Sequence, residues 1–308
     1  MTPDPALPDS RNADILIHVG GELLPRAEAK VSVFDSTVQG GDAVWEGLRV
    51  YDGRVFQLDA HLDRLLRSAR SMHFADIPSR DSIKQALFQT LQANNMRDGV
   101  HVRLTLSRGM KVTSGMDIRL NQYGSCLIVL AEWKQPIYKR SGIRLVTSTW
   151  RRNSPQSLDS KIHHNNLINN ILAKIDANLA GADDAIMLDL AGYVAETNAT
   201  NLFLVQDGEL RTPWADSCLP GITRGVVLEM ARNLGQPCRE MRVTMADVYG
   251  ADECFTTGTM GELTPVLEVD GRIIGTGAIG PVTAKLQATY ADLTAASGTP
   301  LPFSDRGR

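Results

Sequence analysis

The sequence predicts a mixed α/β (α+β) protein of two lobes, a smaller N-terminal α/β lobe over residues 1–136 and a larger C-terminal lobe over 137–308. Three observations carry that expectation. A chain of 308 residues exceeds what one hydrophobic core usually spans. Its apolar residues switch repeatedly between alternating and helical spacing. The segment 134–142, with Pro136 and several basic residues, interrupts this patterning and reads as a linker.

The elements follow in order. Residues 31–34 form a short apolar run of strand type, and 48–51 and 54–57 flank Asp52-Gly53, a pair suited to the positive φ angles of a tight hairpin. From Asp59, which can cap a first turn, the spacing of Leu62, Leu65, Leu66, Ala69 and Met72 predicts a helix, and a second covers 82–94. Strands are expected over 100–107 and 126–132, joined by the polar loop 108–124, whose length suits a functional loop. After the linker comes a strand over 143–149. Ile162, Leu167, Ile168, Ile171, Leu172, Ile175 and Leu179 then make one apolar helix face that Gly181 closes, with Lys161 at its beginning. Strands over 185–188, 193–196 and 202–205 and a helix over 226–234 complete the pattern, and the tail after Gly298 reads as loosely held.

Composition narrows the function. Lys and Arg total 32 against 35 Asp and Glu, a net charge of -3 without long runs of one sign, so no footprint for nucleic acid or an anionic membrane is present. Residues 1–12 lack the basic-then-apolar order of a secretory signal, and no later stretch is apolar for the roughly eighteen residues a membrane helix needs. The expectation is a cytoplasmic protein of small-molecule chemistry. Cys126, Cys218, Cys238 and Cys254 are widely spaced and read as reduced packing residues, with neither disulfides nor a structural metal.

Two segments could hold an anion. Leu219-Pro220-Gly221-Ile222-Thr223-Arg224 precedes a helix, whose free N–H groups and dipole favour negative charge, although an ordinary Pro-Gly turn into a helix has the same composition. Thr256-Thr257-Gly258-Thr259-Met260-Gly261 offers hydroxyls and glycines around a second such position. Neither is a Walker A loop or a dinucleotide fingerprint. Lys161 at a helix start is mildly unfavourable by charge and dipole, so its position asks for a reason. Glu196 ends a strand-like run. The pair His163-His164 is read as polar packing, since neighbouring residues diverge and no third metal ligand is near in sequence. Asp35, Asp42 and Glu46 are read as structural.

Together these pieces carry a resemblance. Val44-Trp45-Glu46-Gly47-Leu48-Arg49, His61-Leu62-Asp63-Arg64-Leu65, Ser160-Lys161, the run from Tyr193 to Phe203, Leu219 to Arg224, and Thr257-Gly258-Thr259 resemble the class IV (branched-chain-aminotransferase-like) aminotransferases in order and spacing over nearly the whole chain. The resemblance implies fold type IV, with a pseudo-barrel in the C-terminal lobe, and pyridoxal 5'-phosphate as cofactor. It implies that Lys161 carries the cofactor as a Schiff base and shuttles the substrate proton, for which an amine is suited as nucleophile and base. Glu196 is then the partner of the pyridine nitrogen. Arg64, Ile222, Thr223 and Thr259 fall at positions that hold the phosphate, the amides of Thr259 and Met260 at positions for the substrate carboxylate, and Arg103 at that of a pocket arginine. The implied reaction moves an amino group from a branched-chain-like amino acid or an amine to a 2-oxo acid such as 2-oxoglutarate or pyruvate. A homodimer is implied as well, with the 108–124 loop as a pocket wall from the neighbour.

The sequence also departs from the branched-chain pattern. Gly40, His101 and Asn166 stand where tyrosines are usual, and Trp45, at a phenylalanine position, is expected to refill the space that Gly40 vacates and to line the substrate pocket with His101. A D-amino-acid or (R)-amine transaminase is a second reading, although Arg108-Gly109 is followed by Met110-Lys111-Val112 instead of that branch's Arg and His, and Lys111 reads as a solvated loop lysine. A lyase of the aminodeoxychorismate type and a non-catalytic ligand-binding protein are further alternatives, the latter disfavoured by the joint presence of Lys161 and Glu196.

Overall fold

In the computed structural model, which describes residues 7–138 and 141–304, Asp52 and Gly53 have φ of 41° and 73°, the pair of positive values the hairpin signal requires. The chain divides into two units. The first holds the residues up to Gln135 together with His163–Asn166 and those from Ser297 onward, and the second holds Pro136–Ile162 and Leu167–Ala296.

The first unit is built from β1 (Leu16–Val19), β2 (Glu22–Pro25), α1 (Ser36–Gly40), β3 (Ala43–Tyr51), β4 (Arg54–Val55), α2 (Leu58–Ser71), α3 (Arg80–Ala93), β5 (Val100–Ser107) and β6 (Cys126–Trp133). Its antiparallel sheet runs β4-β3-β5-β6-β1-β2, and the short strand Thr299–Pro300 adds to the β4 edge. The tail expected to be loose is therefore tied down as far as this pairing. On one face Val44, Leu48, Val50, Val102 and Leu104 are fully buried, with α2 against β3 and α3 against β6. The other face carries Trp45, Gly47 and Arg49 of β3 beside Thr105, Arg103 and His101 of β5. Residues 163–165 pair along the free start of β3: Trp45 N–H donates to His163 O at 2.9 Å and Asn165 N–H to Ala43 O at 2.8 Å.

Several expectations for this unit are corrected. Residues 31–34 are not a strand but a turn with exposed Val33 and Phe34, while the β1–β2 hairpin closes over Gly20-Gly21, a turn signal with both φ positive. Asp59 lies within the first turn of α2 and pairs with Arg80 and Lys84; the cap position is Gln57, in the left-handed region. Lys111 is buried, not solvated, and donates to Gly115 O at 2.6 Å, tying the 108–124 loop to itself.

The second unit comprises β7 (Ile143–Arg151), α4 (Ile168–Leu179), β8 (Asp184–Leu188), β9 (Val194–Thr197), β10 (Asn201–Gln206), β11 (Glu209–Pro213), α5 (Ile222–Asn233), β12 (Cys238–Met241), α6 (Met245–Tyr249), β13 (Glu253–Gly258), β14 (Glu262–Val269), β15 (Arg272–Ile273) and α7 (Pro281–Ala296). Its sheet runs β12-β11-β10-β13-β14-β7-β8-β9, with β15 on β14. Since β9 passes directly into β10, with Thr197 N–H donating to Thr200 O at 2.7 Å, the sheet curls back on itself. Ile143, Leu145, Ile186, Leu188, Val194, Leu202, Leu204, Cys254 and Val266 fill the inside of that curl as a pseudo-barrel core. The helix α4 is the main departure. It starts at Ile168, so Lys161 lies in a loop of turns before it, and it packs through Ala173 and Ala177 onto Ala185 and Met187. Ile168, Ile171, Ile175 and Leu179 point outward. Among the described residues all four cysteines are free, no group of acids, histidines and cysteines could hold a metal, and no helix is long and apolar enough to cross a membrane.

Candidate active site

Glu196 is the natural starting point, because a carboxylate at 5% exposure is costly unless it is paired. It sits on β9 opposite Met187 of β8, near the end of β7. There Arg152, also buried, donates its Nε to Glu196 Oε1 at 2.6 Å and an Nη to Asn169 Oδ1 at 3.1 Å. The second oxygen, Oε2, accepts from Asn201 Nδ2 at 3.3 Å. The carboxylate is thus paired and aimed by two neighbours, neither of which carried a predicted role.

Asn201 joins three elements. Besides Glu196 it donates to Leu219 O at 2.9 Å, and its Oδ1 lies where a Cβ on Gly221 would come within 2.1 Å, so only glycine fits at that point. Gly221 is the cap position of α5, and no side chain bonds the helix's first N–H groups, among them those of Ile222 and Thr223. Across the sheet, Asn201 is the cross-strand partner of Thr257, which brings Thr257 to the same face. The chain then turns through Thr259, Met260 and Gly261 into β14. The second anion segment is therefore strand as far as Gly258, with the turn only at 259–261. Arg224, part of the first segment, points away: it is buried and donates to Pro213 O and to Glu240.

Lys161 is half-exposed in its loop, with its N–H on Asp159 Oδ1 at 2.9 Å and its Nζ 3.4 Å from Asp216 O, in the loop that leads to Leu219. Next to it, Ser160 Oγ is buried without a hydrogen-bond partner, and so is Thr257 Oγ1. Two hydroxyls of this kind and an uncapped helix start suit an anionic, oxygen-rich group. The second unit thus holds Lys161, Glu196, Ile222, Thr223, Thr259 and Met260.

The remaining candidates lie in the first unit. Arg64 of α2 is buried and grips Glu46, Nε to Oε1 at 2.8 Å and Nη2 to Oε2 at 2.7 Å, while His61 Nδ1 stands 2.7 Å from Oε2. Burial would raise the Glu46 carboxyl, but the charges of Arg64 and His163 overcome it and hold the group well below the usual carboxylate range. His163, 3.3 Å from Glu46 Oε1, is pulled down to about 4 by burial against the opposing pull of that carboxylate. On the other face of the sheet, the Arg103 guanidinium lies 3.9 Å over the Trp45 ring and bonds Asn165 Oδ1 at 2.6 Å. His101 is pulled down to about 3, chiefly by burial and then by the cations of Lys134, Arg49 and Arg103. Trp45 does not refill the space at Gly40. Its ring faces His163 at 4.2 Å, and a Cβ at Gly40 would meet nothing within 4 Å.

A primary amine, an oriented carboxylate and an uncapped, glycine-led helix start on a curled sheet are the parts of a pyridoxal-phosphate site. The sequence profile of the amino-transferase class IV family matches residues 43–269. "Branched-chain-amino-acid aminotransferase-like protein 2" of Arabidopsis thaliana is 58% identical over 301 residues, which is 97% of this chain and 54% of that protein. The chain therefore spans about half the length of the first such relatives. A putative branched-chain-amino-acid aminotransferase of Methanocaldococcus jannaschii is 40% identical over 280 residues, 90% of this chain and 96% of that one. The Escherichia coli branched-chain amino acid aminotransferase structure superposes with a TM-score of 0.86 at 31% identity, covering 95% and 98% of the two chains. The branched-chain amino acid aminotransferase from Thermobaculum terrenum, in its PLP form, gives 0.83 at 27% identity, covering 92% and 95%. The chain belongs to the class IV aminotransferase family and has its fold, fold type IV; the cofactor of this family is pyridoxal 5'-phosphate.

Proposed function

We propose that this protein moves an amino group from a branched-chain-like amino acid to a 2-oxo acid such as 2-oxoglutarate, with Lys161 as the covalent anchor of pyridoxal 5'-phosphate. The observation that carries this is the convergence on Asn201 of Glu196, the start of α5 and strand β13 in the unit that also bears Lys161. When bound, the cofactor supplies an electron sink for the charge left when the substrate α-carbon loses its proton.

The chain's own groups do the rest. Glu196, held in an ion pair by Arg152, keeps a proton on the ring nitrogen and so sustains the sink. The N–H groups of Ile222 and Thr223, with the hydroxyls of Thr223 and Thr259, hold the phosphate. Arg64, whose guanidinium plane Glu46 fixes within the first unit, is the cation that the family resemblance adds to that role. The amine of Lys161 moves the proton at the α-carbon, and the turn amides of Thr259 and Met260 bind the substrate carboxylate. Trp45, His101 and Arg103 present an aromatic and cationic face that reads the substrate side chain or the acceptor's second carboxylate. The protein works as a homodimer, for which the outward Ile168, Ile171, Ile175 and Leu179 offer an apolar surface; light scattering giving a monomer at micromolar concentration would refute that part.

The test is a donor panel of L- and D-amino acids and chiral amines, each with 2-oxoglutarate or pyruvate, read by chromatography of both products. Equimolar formation of a new 2-oxo acid and a new amino acid is expected, with branched L-donors best. Pyruvate released without any need for an acceptor would indicate a lyase instead, and best turnover with D-donors or (R)-amines would reassign the substrate.

A further inference from the structure

Residues 137 and 138 follow directly on the N-terminal unit, yet they are held by the turn that carries Thr259 and Met260. Ile137 N–H donates to Met260 O at 3.0 Å. The Tyr138 ring lies so close to Gly261 that a Cβ there would meet Cδ2 at 2.7 Å and Cε2 at 3.0 Å. The turn is closed from its other side by Thr264, whose Oγ1 donates to Gly261 O at 2.7 Å. At the far end of the ring, the Tyr138 hydroxyl donates to Asp184, a residue 1% exposed at the start of β8. Lys174 of α4 stands 3.4 Å from the other oxygen of that carboxylate.

We propose that Tyr138 is a positioning residue for substrate-carboxylate recognition: its bond to Asp184 latches the 137–138 segment against Met260 and Gly261 and so fixes the turn whose amides receive the carboxylate. This rests on the reading of Thr259 and Met260 given above. The reasoning separates the ring from the hydroxyl. A tyrosine that merely filled space beside the pseudo-barrel core would also need a partner for its hydroxyl, but water or a backbone carbonyl would serve. Here the hydroxyl engages a carboxylate that burial raises above its ordinary range, and a hydrogen bond to a buried charged group is worth more than most. The ring is then a lever fixed at both ends. Its edge allows nothing but glycine at 261, and the neighbouring peptide is bonded to Ile137.

The experiment uses the cofactor-loaded protein and the variants Tyr138→Phe, which keeps the ring, and Gly261→Ala, which pushes it. Amide exchange is measured over 257–263, together with calorimetric affinity for 4-methylvaleric acid, a branched monocarboxylate without an amine. Both variants are expected to exchange the 259–261 amides about tenfold faster or more, and to bind the acid about fivefold more weakly or worse. Affinity for the cofactor should fall less than affinity for the acid. Unchanged exchange and affinity in Tyr138→Phe, even with a lowered melting temperature, would overturn the latch and leave Tyr138 a packing residue. Faster exchange in a protein whose wild type fails to bind the acid at all would uphold the latch and sink the carboxylate role of the turn.

Discussion

Replacing Arg152 by methionine removes the cation that faces Glu196 and leaves a side chain of similar reach. The two side chains are 5% and 6% exposed and 2.6 Å apart, so the pair is nearly out of water. Breaking such a pair from one side costs about 3–5 kcal/mol, because the remaining charge is left in a poor environment. For a unit of this size that corresponds to a melting temperature lower by roughly 6–20 °C. The loss should shrink as pH falls, since protonation of Glu196 neutralises the stranded charge. It should also be largely reversed by adding Glu196→Gln, which removes the charge; a double-mutant cycle then yields the coupling directly. Calorimetric melts of the cofactor-free protein at pH 8 and pH 5.5 provide the assay, and the visible absorption of the loaded protein reports on the ring nitrogen. An Arg152→Met protein that melts within 2 °C of wild type at pH 8 and keeps its absorption band would refute the claim that Arg152 holds and charges Glu196.

Gly221→Ala should lower cofactor affinity at least tenfold, as a Cβ 2.1 Å from Asn201 Oδ1 must displace either the start of α5 or the Asn201 amide; titration of the apo protein with cofactor measures it. Thr257→Val should raise the melting temperature of the apo protein, because burying a hydroxyl without a partner costs about 1–3 kcal/mol, and should weaken cofactor binding, whereas a fall in stability would show that the hydroxyl is already satisfied. Stability should decline on acidification below pH 6.5. His163, pulled down to about 4, and His101, pulled down to about 3, stay neutral in the fold while the unfolded chain takes up protons on both, so each costs the native state about 2 kcal/mol between pH 7 and pH 5. Denaturant melts at the two pH values check this, and His163→Asn should remove about half of the difference, leaving the share of His101.

What could be read from the sequence followed from local physics. The Asp52-Gly53 hairpin was legible because few other pairs accept two positive φ angles, and β5 because its alternation matches a sheet with one well-buried face. The reading of α4 shows where such logic stops. Its apolar residues share a side, as periodicity indicates, but the contact with β8 is made by Ala173 and Ala177, which let the helix come close, and the larger residues face outward. No spacing rule distinguishes those two sides. In the site, Glu196 and the start of α5 stood in recognisable motifs, whereas Arg152 and Asn201 act through partners distant in sequence. A partial signal was available for Arg152: a carboxylate expected in a buried strand calls for a cation, and Arg152 directly follows β7, which β8 separates from β9 in the sheet. Asn201 lay within a quoted motif, yet its bond to Leu219 depends on how the sheet curls.

Everything proposed about chemistry depends on which amine the cofactor's aldehyde carbon meets. Borohydride reduction of the loaded protein, followed by proteolysis and mass spectrometry, should place one phosphopyridoxyl group on the peptide containing Lys161 and none in a Lys161→Ala protein. A stable adduct on Lys111, Lys174 or any other side chain, or no adduct at all, would contradict the account.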